Sequence, residues 1–326
     1  MILKIFRTNQ PAILLTLPLV AAVLWLPHFL SSEPAFLRSG FLFNLIPEGL
    51  EINPLIFKIS AFVAITLQAL LLNYLLNQTE VFSKISYLPS LIFIIAGTIL
   101  SYNGGIDTWV FCNLFLLLAI WNTLQVYHQN SAIGLTFNIG FWIGMASLLE
   151  PVILIAIIPA IISVLILRAA DWRELLFILI GAFLPIFFLA VIFFIYDINF
   201  YIPEINFQFN RKIQIHESPW FISFLIIAGL IILQSFYTYL ISLRGIILRV
   251  RKMRMVLMYY TLLISFLYAF LLLGTTAPAQ NQLLMIPMSL LISFRMIQPA
   301  RPLLTDFTFY LMLALWGFFV YNLYFQ

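Results

Sequence analysis

The stretch GFWIGMASLLEPVILIAIIPAIISVLILR, residues 140–168, decides how the rest of the chain is threaded. It holds two apolar runs, near 135–150 and 152–167, separated only by Glu150 and Pro151. Each run is shorter than the roughly 20 residues that usually span a bilayer core. The pair therefore reads either as two crossings joined by a sharp turn or as one crossing with a re-entrant piece, and the choice sets the compartment of every later loop. Pro151 cannot continue a preceding helix without losing a hydrogen bond, which favours a turn there. Gly140, Gly144 and Ala146 give the first of the two runs a face of small residues. Such a face lets another backbone come close in lipid, where no hydrophobic force drives helices together.

Outward from this stretch the same composition continues. The chain has 326 residues, 63% of them hydrophobic and only 9% charged, with a mean hydropathy of +1.08. Soluble domains carry about a quarter charged residues, so the class is a polytopic membrane protein. Apolar runs fall near 12–30, 55–77, 87–102, 109–127, 135–150, 152–167, 175–197, 219–242, 256–274, 281–295 and 306–324. The expected fold is all-α and integral to the membrane, with about 11 transmembrane helices in a single domain over 1–326. The third, fifth and tenth runs are short enough for a re-entrant alternative.

Charge placement argues that all of them cross. With a cytoplasmic N-terminus, the inner loops hold Lys4, Arg7, Lys84, Arg168, Arg173, Arg244, Arg249, Arg251, Lys252, Arg254, Arg295 and Arg301, which is 12 of the 16 basic residues. The outer side keeps only Arg38, Lys58, Arg211 and Lys212. This asymmetry is the positive-inside signal; the acids contribute little to it. Deleting the fifth crossing would invert every later loop and put Arg244 to Arg254 outside. The first run, after Lys4 and Arg7, reads as an uncleaved signal anchor, since its apolar part exceeds a usual signal-peptide core. The expected location is the bacterial inner membrane.

Several function classes find no footing. The +4 net charge is dispersed among inner loops, so nucleic-acid contact is not indicated; the run Arg244 to Arg254 suits anionic headgroups, at about 1 kcal/mol per cation. Cys112, the only cysteine, excludes an intrachain disulfide and reads as a small packed side chain. Oxygenation at non-haem iron needs clustered histidines, whereas His28, His128 and His216 fall on both sides of the membrane. Gln68, Asn73, Asn113, Asn122, Gln125, Asn138 and Gln234 lie within spans. Interhelical hydrogen bonds, worth about 0.6 kcal/mol each, are the ordinary use of such amides. The segment YDINFYIPEINFQF, Tyr196 to Phe209, alternates aromatic and polar residues and reads as an interfacial segment or aromatic belt.

The order of these features resembles the membrane module of C-type glycosyltransferases, which take sugars from polyprenyl-phosphate carriers outside the membrane. The similarity covers roughly residues 30 to 200. It rests on Glu33, Glu48 and Glu51 in the first outer loop, Asp107 in the second, and Gly140, Gly144, Ala146, Glu150 and Pro151 in the G-x-x-x-G-x-A run. In the glycosyltransferases the residue before that proline is commonly a cation, where this chain has Glu150. The paired Asp-Glu of many first outer loops is also missing. Segments such as NYLLNQTEVFSKISYLPSLIF and DWRELLFILIGAFLPIFF resemble, in addition, a multi-pass inner-membrane family of the Bacteroidota.

The resemblance implies an inverting sugar transfer, with one carboxylate accepting the acceptor's proton while cations or a metal stabilise the departing phosphate. Glu48 or Glu51 would be the base, and Asp107 its partner in holding a divalent metal ion. Arg211, Lys212 and His216 in the fourth outer loop would clamp a lipid phosphate, and Glu150 would line the substrate site. The implied partners are membrane lipids, among them a polyprenyl-phosphate carrier. The alternative expectation is a non-catalytic inner-membrane subunit of an envelope, secretion or gliding-motility assembly, with protein partners in that complex. Short outer loops favour this second reading.

Overall fold

The computed structural model describes residues 6, 12–30, 54–82, 85–101, 108–127, 129, 131–195, 219–244, 246–274, 282–297 and 302–325. These form eleven α-helices, and no strand occurs among the described residues. In chain order they are α1 Ala12–Leu30, α2 Pro54–Gln78, α3 Leu88–Leu100, α4 Thr108–Gln125, α5 Ile133–Leu149 and α6 Ile157–Leu167. Then follow α7 Trp172–Ile195, α8 Pro219–Ser242, α9 Leu248–Gly274, α10 Met285–Ile297 and α11 Pro302–Phe325. Each expected apolar run overlaps one of these helices. The sixth is divided, its first half Pro151–Ala156 being a 3-10 helix that leads into α6. The ninth begins at Leu248 rather than near 256, because Arg249, Arg251, Lys252 and Arg254 interrupt the apolar run without breaking the helix.

Length and burial sort the helices into two kinds. Among the described residues, α1, α2, α4, α7 and α9 are long and apolar enough to cross a membrane. Helix α7 shows why it is apolar all round. Ile178, Gly181, Ala182, Pro185, Leu189 and Phe193 are buried, while Phe183, Phe187, Phe188 and Phe194 are exposed. A helix hydrophobic on both faces belongs where one face meets protein and the other meets lipid. By contrast α3 and α10 have 13 residues each, about 20 Å of helix against a hydrocarbon core of about 30 Å. They pack on each other and are buried on nearly every side, α3 from Leu88 to Thr98 without interruption. Helices α1, α2 and α11 also pack on α3, and α8 and α9 on α10. Short helices enclosed by protein need not match the bilayer, since neighbouring side chains replace lipid around their ends.

The most extensive contact is between α5 and α7. A Cβ at Gly140 would lie 1.9 Å from the carbonyl oxygen of Ile178, one at Gly144 2.4 Å from that of Ala182, and one at Gly181 2.2 Å from that of Phe137. Three glycines on two helices thus let the backbones touch. The small-residue face expected on the fifth helix is present, and the helix that uses it is α7.

Hydrogen bonds between helix ends collect the turns at two ends of the bundle. At one end the backbone N–H of Tyr87 donates to Phe6 O (3.0 Å), Lys252 Nζ donates to Leu167 O (3.2 Å), and Arg168 Nη1 donates to Gln129 O (2.9 Å). At the other, Thr108 Oγ1 donates to Glu150 Oε1 (2.9 Å) and Gln282 Nε2 to Ser101 Oγ (3.5 Å). The first end is called the basic end below, because Arg168, Arg249, Arg251, Lys252, Arg254 and Arg295 lie there. The second is called the acidic end, after Glu150.

Candidate functional site

Of the residues expected to form an outer site, Glu150 alone falls among the described residues. Glu48, Glu51, Asp107, Arg211, Lys212 and His216 lie outside them. Glu150 is half-buried and extended (φ −136°, ψ 104°), ending α5 where its N–H still donates to Ala146 O (3.0 Å). Pro151 then starts the 3-10 turn, and Ile153 N–H donates back to Glu150 O (3.0 Å). The carboxylate accepts from Thr108, the buried first residue of α4, which directly follows Asp107 in the chain. Behind this contact α4 and α5 stay close, with Cys112 Sγ 3.7 Å from Ala146 O. Cys112 is fully buried, in keeping with a packing role.

A layer of amides lies behind Glu150. Gln68 Nε2 donates to Val110 O (2.7 Å), joining α2 to α4, and Asn113 Nδ2 donates to Gln282 O (2.8 Å), joining α4 to the start of α10. These two are interhelical, as expected; Asn122 instead donates to Leu118 O within α4. The side-chain oxygens of Gln68, Asn73 and Asn113 are buried without a hydrogen-bond partner among the described residues. Among those residues no three His, Cys, Asp or Glu side chains are grouped to hold a metal. The divalent ion implied by the resemblance would depend on Glu48, Glu51 and Asp107, all outside the described residues.

The basic end contains chemistry that charge counting alone does not reveal. Glu174, on the first turn of α7, is buried; its Oε1 accepts from the Ala132 N–H at the start of α5 (3.0 Å) and sits 3.3 Å from Arg168 Nη1. A carboxylate at a helix N-terminus meets unsatisfied N–H groups and the positive end of the helix dipole, so one acid fastens α5, α6 and α7 together. Arg254 is only 2% exposed. Its Nε donates to Val81 O (2.9 Å) and its Nη1 to Ser242 O (2.6 Å), while its own carbonyl accepts from Tyr239 Oη. The guanidinium also lies 5.2 Å from the centre of the Phe294 ring, against which Tyr239 and Phe82 pack. One side chain thereby ties together the α2–α3 turn, the end of α8, the start of α9 and the end of α10. Glu80, in that turn, has φ 54°. Beside it, Asn77 and Ser86 exchange two hydrogen bonds of 3.4 Å.

Next to this junction an open cleft of about 480 Å³ is lined by Gln78, Thr79, Gln125, Tyr127, Gln129 and Arg249. Arg249 reaches Glu80 across solvent at 3.7 Å. Arg295, on the last turn of α10, is 4% exposed, and its Nη1 is buried without a hydrogen-bond partner among the described residues. Sequence reasoning treats Arg254 and Arg295 only as topological charges. A signal for Arg254 was present: Met253, Val256, Leu257, Tyr260, Ile264, Leu267 and Leu271 form a buried stripe at helical spacing, and Arg254 continues it.

Comparison with known protein families, with curated proteins and with solved structures yields no match.

Proposed function

We propose that the chain is a multi-pass protein of a bacterial inner membrane that crosses it eleven times, with the basic end cytoplasmic and the acidic end outside. On this reading its fold is C-type glycosyltransferase-like, and it handles an undecaprenyl-phosphate-linked sugar at the outer face. The observation that carries the reading is the Thr108–Glu150 contact. It brings Thr108, the residue after Asp107 in the chain, against the Glu-Pro end of the glycine-bearing helix, which supports a common rim for the two outer turns. The close packing through Gly140, Gly144 and Gly181 holds α5, the helix that ends at Glu150, against α7. In the proposed chemistry Glu48 or Glu51 accepts the acceptor's proton and Asp107 helps hold a divalent ion. Arg211, Lys212 and His216 bind the lipid phosphate, and Glu150 shapes the pocket through its neighbours.

The second reading, a non-catalytic subunit of an envelope, secretion or gliding-motility complex, is favoured by a specific feature. The one described site residue, Glu150, already has Thr108 as a hydrogen-bond partner, as a structural group would. Purification of the protein with its neighbours separates the two. The glycosyltransferase-like reading expects bound polyprenyl phosphate by mass spectrometry, reduced in Glu48→Ala, Asp107→Ala and Arg211→Ala. Lipid content indifferent to all three substitutions, with a protein partner copurifying in fixed stoichiometry, sinks it in favour of the subunit.

A further inference from the structure

We propose that the open cleft at the basic end binds the phosphate ester of a small polyol, with Arg249 holding the phosphate. The cleft lies between the close of α2, the close of α4 and the opening of α9. It is at the other end of the bundle from the rim assigned to sugar transfer, and the inference does not depend on that activity. Its volume of about 480 Å³ falls within the roughly 300–1,000 Å³ of small-molecule sites. Such sites are mostly apolar, and this one is not. Six of its eight lining residues are polar, and only Leu124 and Met253, both buried, add apolar surface. Water leaves a cavity of this kind only for an occupant that replaces its hydrogen bonds.

Charge selects an anion. Arg249 is the one charged residue among the described lining. Its neighbours are already engaged: Arg168 by Gln129 O and Glu174, Lys252 by Leu167 O, and Arg254 by Val81 O and Ser242 O. Arg249 has Glu80 at 3.7 Å, and both side chains are exposed. An ion pair in water is worth little, so a phosphate takes the guanidinium from Glu80 at small cost. Arginine's planar fork then gives two parallel hydrogen bonds to phosphate oxygens. The further cations of the same helix start, Arg251 and Lys252, raise the local concentration of anions.

The amides select a polyol. Gln68, Asn113 and Asn122, within the spans, each donate to a backbone carbonyl. By contrast, the carboxamides of Gln78, Gln125 and Gln129 make no hydrogen bond among the described residues and line the cleft. A carboxamide offers two donors and an accepting oxygen. Thr79 gives its hydroxyl hydrogen to Leu75 O (2.7 Å), so its oxygen turns lone pairs to an occupant. Bare phosphate offers mainly acceptors and leaves these oxygens unused, whereas hydroxyl groups beside the phosphate both give and receive hydrogen bonds. The wall is fixed in advance, since Gln129 O receives Arg168 and its N–H donates to Val126 O (3.3 Å). Helices α2, α4 and α9 are also three of the five long enough to cross a membrane, and the cleft lies where they end together, at headgroup level. A polyol phosphate reaches it either as the head of a lipid such as phosphatidylglycerol or from solution as glycerol 3-phosphate.

The full chain in detergent tests this, with native mass spectrometry for phosphatidylglycerol and diacylglycerol and titration calorimetry for glycerol 3-phosphate and inorganic phosphate. Arg249→Gln is expected to weaken the polyol phosphates at least about tenfold while keeping the thermal midpoint of wild type. Gln125→Leu should weaken them about threefold and leave inorganic phosphate unchanged. Arg251→Gln removes the same charge from the same turn, outside the lining, and should change binding by less than about twofold. Tighter binding of phosphatidylglycerol than of glycerol 3-phosphate supports the site with the membrane as its source, and the reverse order supports it with a soluble ligand. Equal losses in Arg249→Gln and Arg251→Gln would overturn the proposal, as the mark of a general charge effect. So would inorganic phosphate binding as tightly as glycerol 3-phosphate, or diacylglycerol as tightly as phosphatidylglycerol with no soluble ester bound. Polyprenyl-phosphate content unchanged in Arg249→Gln leaves the outer-site reading untouched, so the two fail separately.

Discussion

The α5–α7 contact and the junction around Arg254 close the bundle by opposite means. In the first, three glycines bring backbone against backbone and dispersion does the work. In the second, a buried charge gathers carbonyl groups from separate elements. Lipid tails are as apolar as any leucine, so neither contact draws on the hydrophobic effect that assembles soluble cores. The dry contact is intolerant of added volume, whereas the polar one is intolerant of lost hydrogen bonds.

Substitutions break or sharpen this contrast. The largest effect is expected at Gly140, where the new Cβ of Gly140→Val would collide with the Ile178 carbonyl, which cannot rotate away. A loss of about 3 kcal/mol or more follows, read as loss of monodisperse protein on detergent size exclusion. Arg254→Met keeps much of the volume but strands the carbonyls of Val81 and Ser242. It should cost about 2–3 kcal/mol, seen as a lower thermal midpoint, and a variant as stable as wild type would show that the junction is held by packing alone. Glu174→Gln can still accept from Ala132 but loses its charge opposite Arg168, whose side chain is 17% exposed, so about 1–2 kcal/mol is expected in the same assay. Arg249→Gln is the smallest. Both it and Glu80 are largely solvent-accessible, and the change should stay within about 0.5 kcal/mol.

These effects divide along the line between what the sequence displays and what it hides. Helices were legible because eleven apolar runs are separated by charges, turns and prolines. Their ends were less so: hydropathy stops at charge, while the hydrogen-bonded helix of α9 runs on from Leu248 through four basic residues. The glycine face of α5 was visible as a pattern, but its partner α7 was not, since the pattern marks a surface and leaves open what covers it. The shortness of α3 and α10 left a re-entrant alternative open in the sequence, and their enclosure by neighbouring helices is a matter of tertiary packing that hydropathy does not record. Glu150 stood out beside Pro151, and its partner Thr108 did not, being 42 residues away. Arg254 and Arg295 were hidden among topological charges, because burial of a cation depends on tertiary neighbours.

The central claim is that the acidic and basic ends occupy opposite sides of the membrane and that odd-numbered threading puts Asp107 and Arg211 on the same side. Cys112 is buried, so a Cys112→Ala background should be tolerated and silent to labelling. In that background Asp107→Cys, Arg211→Cys and Arg249→Cys can be challenged in intact cells with a membrane-impermeant maleimide. The account predicts labelling at 107 and 211 from outside and at 249 only after permeabilisation; labelling of 107 and 211 from opposite compartments would contradict it.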